Sequence, residues 1–166
     1  MRTAEKSKAI QIRQTIRSSD KQAIREIVIS SSFFNAQEID VAVELIEERF
    51  EKGEASGYYF LFADLPNRTV AYSCYGPIPG TASSFDLYWI AVHNDTRGQG
   101  IGKLLLQATE QAIKKMGGRR IYVETSSRAQ YIPTRNFYQA CHYNMEALLQ
   151  DFYAPGDSKC IFVKVI

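Results

Sequence analysis

The sequence predicts an α/β fold, a mixed sheet of about seven strands flanked by helices, and three observations carry that expectation. Short runs rich in β-branched and aromatic residues recur along the chain. Between them lie stretches with apolar residues at helical spacing. One such stretch joins two of the runs as a strand-helix-strand unit over residues 85–125, long enough to cross between parallel neighbours.

Taken in order, residues 9–16 alternate Ile10, Ile12 and Ile16 with polar residues, apart from a slip at Gln14-Thr15, and read as a first strand. Ser18-Ser19-Asp20 offers N-caps to a helix with Ala23, Ile24, Ile27 and Val28 on one face. A polar-aromatic loop, residues 30–35, precedes a second helix over residues 36–51, which places Ile39, Val43, Ile46 and Phe50 at helical spacing and stops at Gly53. Residues 58–65 and 69–75, with Pro66-Asn67 between them, read as a hairpin, and Gly76-Pro77-Ile78-Pro79-Gly80 breaks the β pattern. The strand at 85–92 feeds a glycine-rich loop and a helix with Ile101, Leu104, Leu105, Ala108, Ala112, Ile113 and Met116 on one side, ended by Gly117-Gly118. Residues 120–125 follow as a strand parallel to the one before that helix. Pro133 opens a short helix at 134–140, and two last β runs at 143–153 and 159–165 flank Ala154-Pro155-Gly156-Asp157.

The 166 residues, 45% of them hydrophobic, suit one domain, expected over 9–166 behind a polar tail at 1–8. Twenty basic against 18 acidic residues leave a net charge of +2, too balanced for a nucleic-acid or membrane binder that relies on charge. The tail lacks the apolar core of a signal peptide and no apolar run approaches a membrane span, so a soluble, cytoplasmic protein is expected. Cys74, Cys141 and Cys160 have no metal-ligand spacing and read as buried free thiols.

The stretch richest in chemistry is Arg97-Gly98-Gln99-Gly100-Ile101-Gly102-Lys103. Alternating glycines strip side chains from the chain where a helix begins, so backbone N–H groups lie open to an anion, with Arg97 and Lys103 beside them. Each glycine weakens such a helix by about 1 kcal/mol, a cost retained chiefly at functional sites. A phosphate loop of the nucleotide-hydrolase type needs Ser or Thr after the lysine, where Leu104 stands. A dinucleotide fingerprint needs a third glycine where Lys103 stands.

Arg-x-x-Gly-x-Gly after a strand ending in Ile90-Ala91-Val92 resembles the acyl-coenzyme A loop of the GNAT-type N-acetyltransferases. A second segment, Pro133-Thr134-Arg135-Asn136-Phe137-Tyr138, resembles that family's short helix after the fifth strand, in the right order. The likeness spans most of the chain, although Cys141-His142-Tyr143 departs from the family's usual Gly-Phe. It implies a GNAT fold and transfer of an acetyl group from acetyl-CoA to an amine by direct attack. It also implies a bulge that splays the strand before the loop, with Ile90, Ala91 and Val92 bonding the coenzyme's arm and residues 97–103 its diphosphate.

By the same resemblance Tyr138 serves the leaving thiolate, Asn136 bonds the arm, and Phe33 and Phe34 are candidate walls of the acceptor pocket. Asp86 and Glu124 are the candidate bases. A proton moves from an alkylammonium to an ordinary aspartate uphill by roughly 9 kcal/mol, so a base needs a raised pKa or a chain of waters. The expected partners are acetyl-CoA and a small amine or peptide, with no metal, and with homodimerisation left open. The alternative is a non-catalytic acyl-CoA sensor on the same fold, which has no use for Tyr138.

Overall fold

The computed structural model describes residues 9–166, and the expected tail at 1–8 lies outside them. Isoleucine alternation yields β1, Gln11–Arg13, shorter than its pattern because it meets only residues 62–64 of β2, Tyr59–Leu65. The helix α1, Asp20–Ser30, starts without a side-chain cap from Ser19. Its first residue is instead tied to β1. Asp20, fully buried, accepts the Arg17 N–H at 2.7 Å and both Nη groups of Arg13, at 2.7 and 2.9 Å.

Arg13 also donates to Asp64 at 2.7 Å, completing a charged cluster where β1, β2 and α1 meet. Burial alone pushes the Asp64 carboxyl up, but hydrogen bonds from Arg13 and Thr69 and the charges of Arg13 and Arg17 hold it below its ordinary value. A depressed folded value means that this carboxylate's stabilisation is present above about pH 4 and is lost as pH falls through the lowered value. Asp20→Ala is expected to cost about 3 kcal/mol, because it leaves part of a buried guanidinium unpaired. The urea midpoint measures this, and a loss below about 0.5 kcal/mol, ordinary for a surface site, would show that the cluster adds no stability.

The helix α2, Ala36–Lys52, opens on a capping box: Asn35 Oδ1 accepts the Glu38 N–H at 2.9 Å and the Glu38 carboxylate accepts the Asn35 N–H at 2.8 Å. That box fixes the end of the loop carrying Phe33 and Phe34. Phe50, expected on the apolar face, is instead half exposed, since the buried stripe of α2 stops at Ile46.

The remaining strands are β3 Arg68–Pro77, β4 Ser84–Val92, β5 Arg120–Ser126, β6 Asn144–Ala154 and β7 Asp157–Val165. The sheet order is β1-β2-β3-β4-β5-β7-β6, with β4–β5 the one parallel pair among the described residues. Between those two runs α3, Ile101–Lys115, and after β5 runs α4, Ile132–Ala140. On one face, α1 and α2 bury Ile24, Ile27, Val43 and Ile46 against Phe60, Phe62 and Tyr72. On the other, Leu105, Leu106, Ile113 and Tyr138 pack against Tyr75, Phe85 and Ile121.

The helix α3 is rotated from its expected orientation. Leu104 and Met116 are exposed while Leu106 and Thr109 are buried. Thr109 is accommodated because its hydroxyl bonds the Leu105 carbonyl and the Ser73 hydroxyl, each at 2.8 Å. Cys74, Cys141 and Cys160 are buried and free. No helix among the described residues is long and apolar enough to cross a membrane.

Candidate active site

The site begins with a fault in the sheet. Cys74 pairs with Trp89 and Tyr75 with Leu87, so Tyr88 is an extra residue that bulges β4. Beyond the bulge β4 leaves β5. Parallel pairing covers only residues 84–86 against 120–122, whereas β5 stays paired with β7 along its whole length. Ile90, Ala91 and Val92 pair with β3 on one side and with no strand on the other. The opening is a cavity of about 850 Å³ lined by these three residues, by Thr125 and Ser126 of β5, and by Phe137 and Tyr138 of α4.

At the end of β4 the chain turns into α3 through the glycine loop. Gly98 and Gly100 sit at φ +75° and +78°, a left-handed conformation that disfavours other residues, and Gly100 is the N-cap of α3. The first backbone bond of the helix runs from the Leu104 N–H to the Gly100 carbonyl at 3.1 Å, and among the described residues no N–H from Arg97 to Lys103 has an acceptor. These open donors lie next to the cavity, with Arg97 and Lys103 on its wall and Gln99 off it. Such an arrangement takes an anion with several oxygens.

The other expected site residues divide. Tyr138 is buried among Phe137, Tyr143 and Phe162, at ring separations of 5.5, 5.6 and 5.9 Å, and lines the cavity. Burial first, then the nearby Cys141 thiol, push its phenol well above the ordinary range. Asn136 is exposed and does not line the cavity. Glu124 lines it and pairs with Lys159 at 2.8 Å. Asp86 does not, although it occupies the last β4–β5 pair, where the two strands part. Burial and the charge of Glu124 push its carboxyl up, against a smaller opposing effect of Lys159.

Phe33 and Phe34 both form part of the wall. Phe34 packs on Trp89 at 5.0 Å, and Phe33 reaches Tyr131 at 5.9 Å, so the α1–α2 loop bridges the cavity to the segment before α4. Tyr88, Arg128, Tyr131, Tyr153 and Asp157 also line it without having been expected. Arg128 had a signal: it follows the C-terminal end of a parallel strand, where ligands of open α/β sheets gather.

The sequence model of the acetyltransferase (GNAT) family matches residues 21–143. The chain belongs to the GNAT family. A GNAT-family crystal structure from Desulfovibrio desulfuricans, assigned to the acetyltransferases, is 39% identical, covers 95% of this chain and 99% of its own, and has a TM-score of 0.93. The ribosomal-protein-S18-alanine N-acetyltransferase of Escherichia coli is 18% identical over 95% of this chain and 94% of its own, with a TM-score of 0.74. PaiA N-acetyltransferase of Thermoplasma acidophilum, solved in complex with coenzyme A, is 18% identical over 95% and 99%, with a TM-score of 0.72. At that identity the last two speak for the GNAT fold alone. No curated protein matches the chain in sequence.

Proposed function

We propose that this GNAT protein moves the acetyl group of acetyl-CoA to a primary amine of a small molecule, amino acid or peptide by direct attack in a ternary complex. The observation that carries the reading is the continuity of two features: a strand edge left open by the bulge at Tyr88, and the unsatisfied N–H groups of residues 97–103 at its end. An extended arm bearing amides pairs with the first as an added strand does, and a diphosphate satisfies the second. PaiA, which shares the fold, was solved with coenzyme A bound.

Acetyl-CoA supplies an activated acyl carbon, and the new C–N bond forms as the C–S bond breaks. The backbone of β4 beside the gap polarises the carbonyl. No nucleophilic side chain is required, and burial pushes the Cys74 thiol up, away from reactivity. Tyr138 meets the departing thiolate. Because burial raises its phenol far above a thiol's ordinary value of about 8.5, it stays protonated and stabilises the thiolate chiefly by donating a hydrogen bond. Either Glu124, on the cavity wall, or Asp86, set back from it and reached through water, takes the amine's proton, and the raised value of Asp86 narrows the uphill gap.

Ligand binding provides the direct test. Acetyl-CoA at about 100 times its dissociation constant is expected to stabilise the fold by about 2.7 kcal/mol, read as a thermal shift. A melt that does not move would contradict the reading.

A further inference from the structure

We propose that the acceptor carries a carboxylate near its amine and that Arg128 receives it, a specificity that rests on the acetyl-transfer reading above. Arg128 follows β5 and lies on the cavity wall. Three segments meet there: the α1–α2 loop through Phe33, the turn before α4 through Tyr131, and the start of β7 through Asp157.

The guanidinium is held from behind. The Arg128 N–H donates to Ser126 Oγ at 3.1 Å and its carbonyl accepts from Arg135 Nη1 at 3.0 Å, which fixes the backbone. Nε lies 3.1 Å from Asp157, a buried carboxylate that also accepts from the Ser126 hydroxyl. The Tyr131 ring lies 5.6 Å from the guanidinium carbon. Neither Nη group has an acceptor among the described residues, whereas those of Arg13 donate to Asp20, Asp64 and Thr69. The side chain is half exposed, so this pre-set fork is open to a ligand in the cavity.

A planar fork with two free donor groups matches the two oxygens of a carboxylate. Asp157 and the Ser126 hydroxyl lie at Nε, 3.1 and 3.5 Å away, and so orient the guanidinium while leaving the edge formed by the two Nη groups free. A purely cationic acceptor such as a polyamine would meet the guanidinium as a like charge. Glu124, although paired with Lys159 at 2.8 Å, lines the same cavity and is half exposed, so a further carboxylate oxygen can accept from the ammonium and the wall offers one group for each end of a zwitterion. A phosphate would also fit a guanidinium, but the adjoining Asp157 carboxylate repels a second negative charge, which favours a singly charged partner.

Thiol release measured with matched acceptors tests this. The set comprises the common amino acids and several dipeptides, phenethylamine against phenylalanine, cadaverine against lysine, and O-phosphoethanolamine for the phosphate case. Wild type is expected to prefer the carboxylate-bearing member of each pair. Arg128→Met should raise KM for those acceptors by roughly 10- to 100-fold, with kcat and the KM for acetyl-CoA little changed, and should leave the carboxylate-free amines equally well or better used. Arg128→Lys, which keeps the charge and loses the fork, should fall between. Equal or better use of the carboxylate-free or phosphorylated amines by wild type, or an equal loss for both members of a pair in Arg128→Met, overturns the proposal. A thermal shift with acetyl-CoA on the same samples separates the two failures: intact coenzyme binding without carboxylate preference sinks the acceptor assignment alone, and absent binding sinks both.

Discussion

Gly100→Asp is expected to abolish acetyl-CoA binding, lowering affinity by at least about 100-fold, while the protein still folds. The loss has an electrostatic origin. Gly100 is the N-cap of α3 amid N–H groups that lack acceptors, so a carboxylate there satisfies the donors meant for a diphosphate and repels its charge. Folding should survive because nothing lies within 4 Å of a Cβ built at this residue, leaving only the strain of φ +78°. That strain costs on the order of 1–2 kcal/mol, and aspartate tolerates the left-handed region better than most residues. Gly100→Ala supplies the control, since it adds strain without charge and should weaken binding only slightly. Titration calorimetry on both variants checks the pair, and unchanged binding in Gly100→Asp would place the phosphates elsewhere.

Tyr138→Phe is expected to lower kcat by about 100-fold or more with acetyl-CoA affinity nearly unchanged. The ring's packing against Tyr143 and Phe162 survives the substitution, and the phenol has no hydrogen bond among the described residues to lose. What disappears is the donor proposed to meet the departing sulfur. Steady-state kinetics alongside a thermal melt distinguish this from damage to the fold. Wild-type turnover in a stable Tyr138→Phe protein would reduce Tyr138 to a packing residue.

Much of the architecture was legible because the physics there is local. Strand runs, the glycine loop and the proline-opened helix each announce themselves through side-chain period or backbone freedom, and β2 to β5 fall within two or three residues of the expected spans. The capping box at Asn35 and Glu38 is local too, an Asn followed three residues later by a Glu, although the expectation placed only a loop end there. Leu104 and Leu106 exchanged roles because both neighbour Leu105, and which of them faces the sheet depends on how α3 docks.

The candidate site was legible at its glycine-loop end and obscure at the end around Arg128. Residues 97–103 are consecutive, so their glycine spacing and flanking cations show in the sequence. Arg128, Tyr131 and Asp157 are brought together only because β7 inserts between β5 and β6, a choice of strand order that no local pattern encodes. The extra residue at Tyr88 is likewise a matter of register with β3. Asn136 illustrates a different limit. Two residues before Tyr138 on one helix, it points another way, so both cannot enter one cavity from α4 as readily as a motif suggests.

The most direct test is a crystal structure of the protein with acetyl-CoA. The expected result is a diphosphate held by the N–H groups of residues 97–103, with the arm running along Ile90, Ala91 and Val92 between the parted strands β4 and β5. A diphosphate bound away from that loop, or an arm outside the gap, would contradict it.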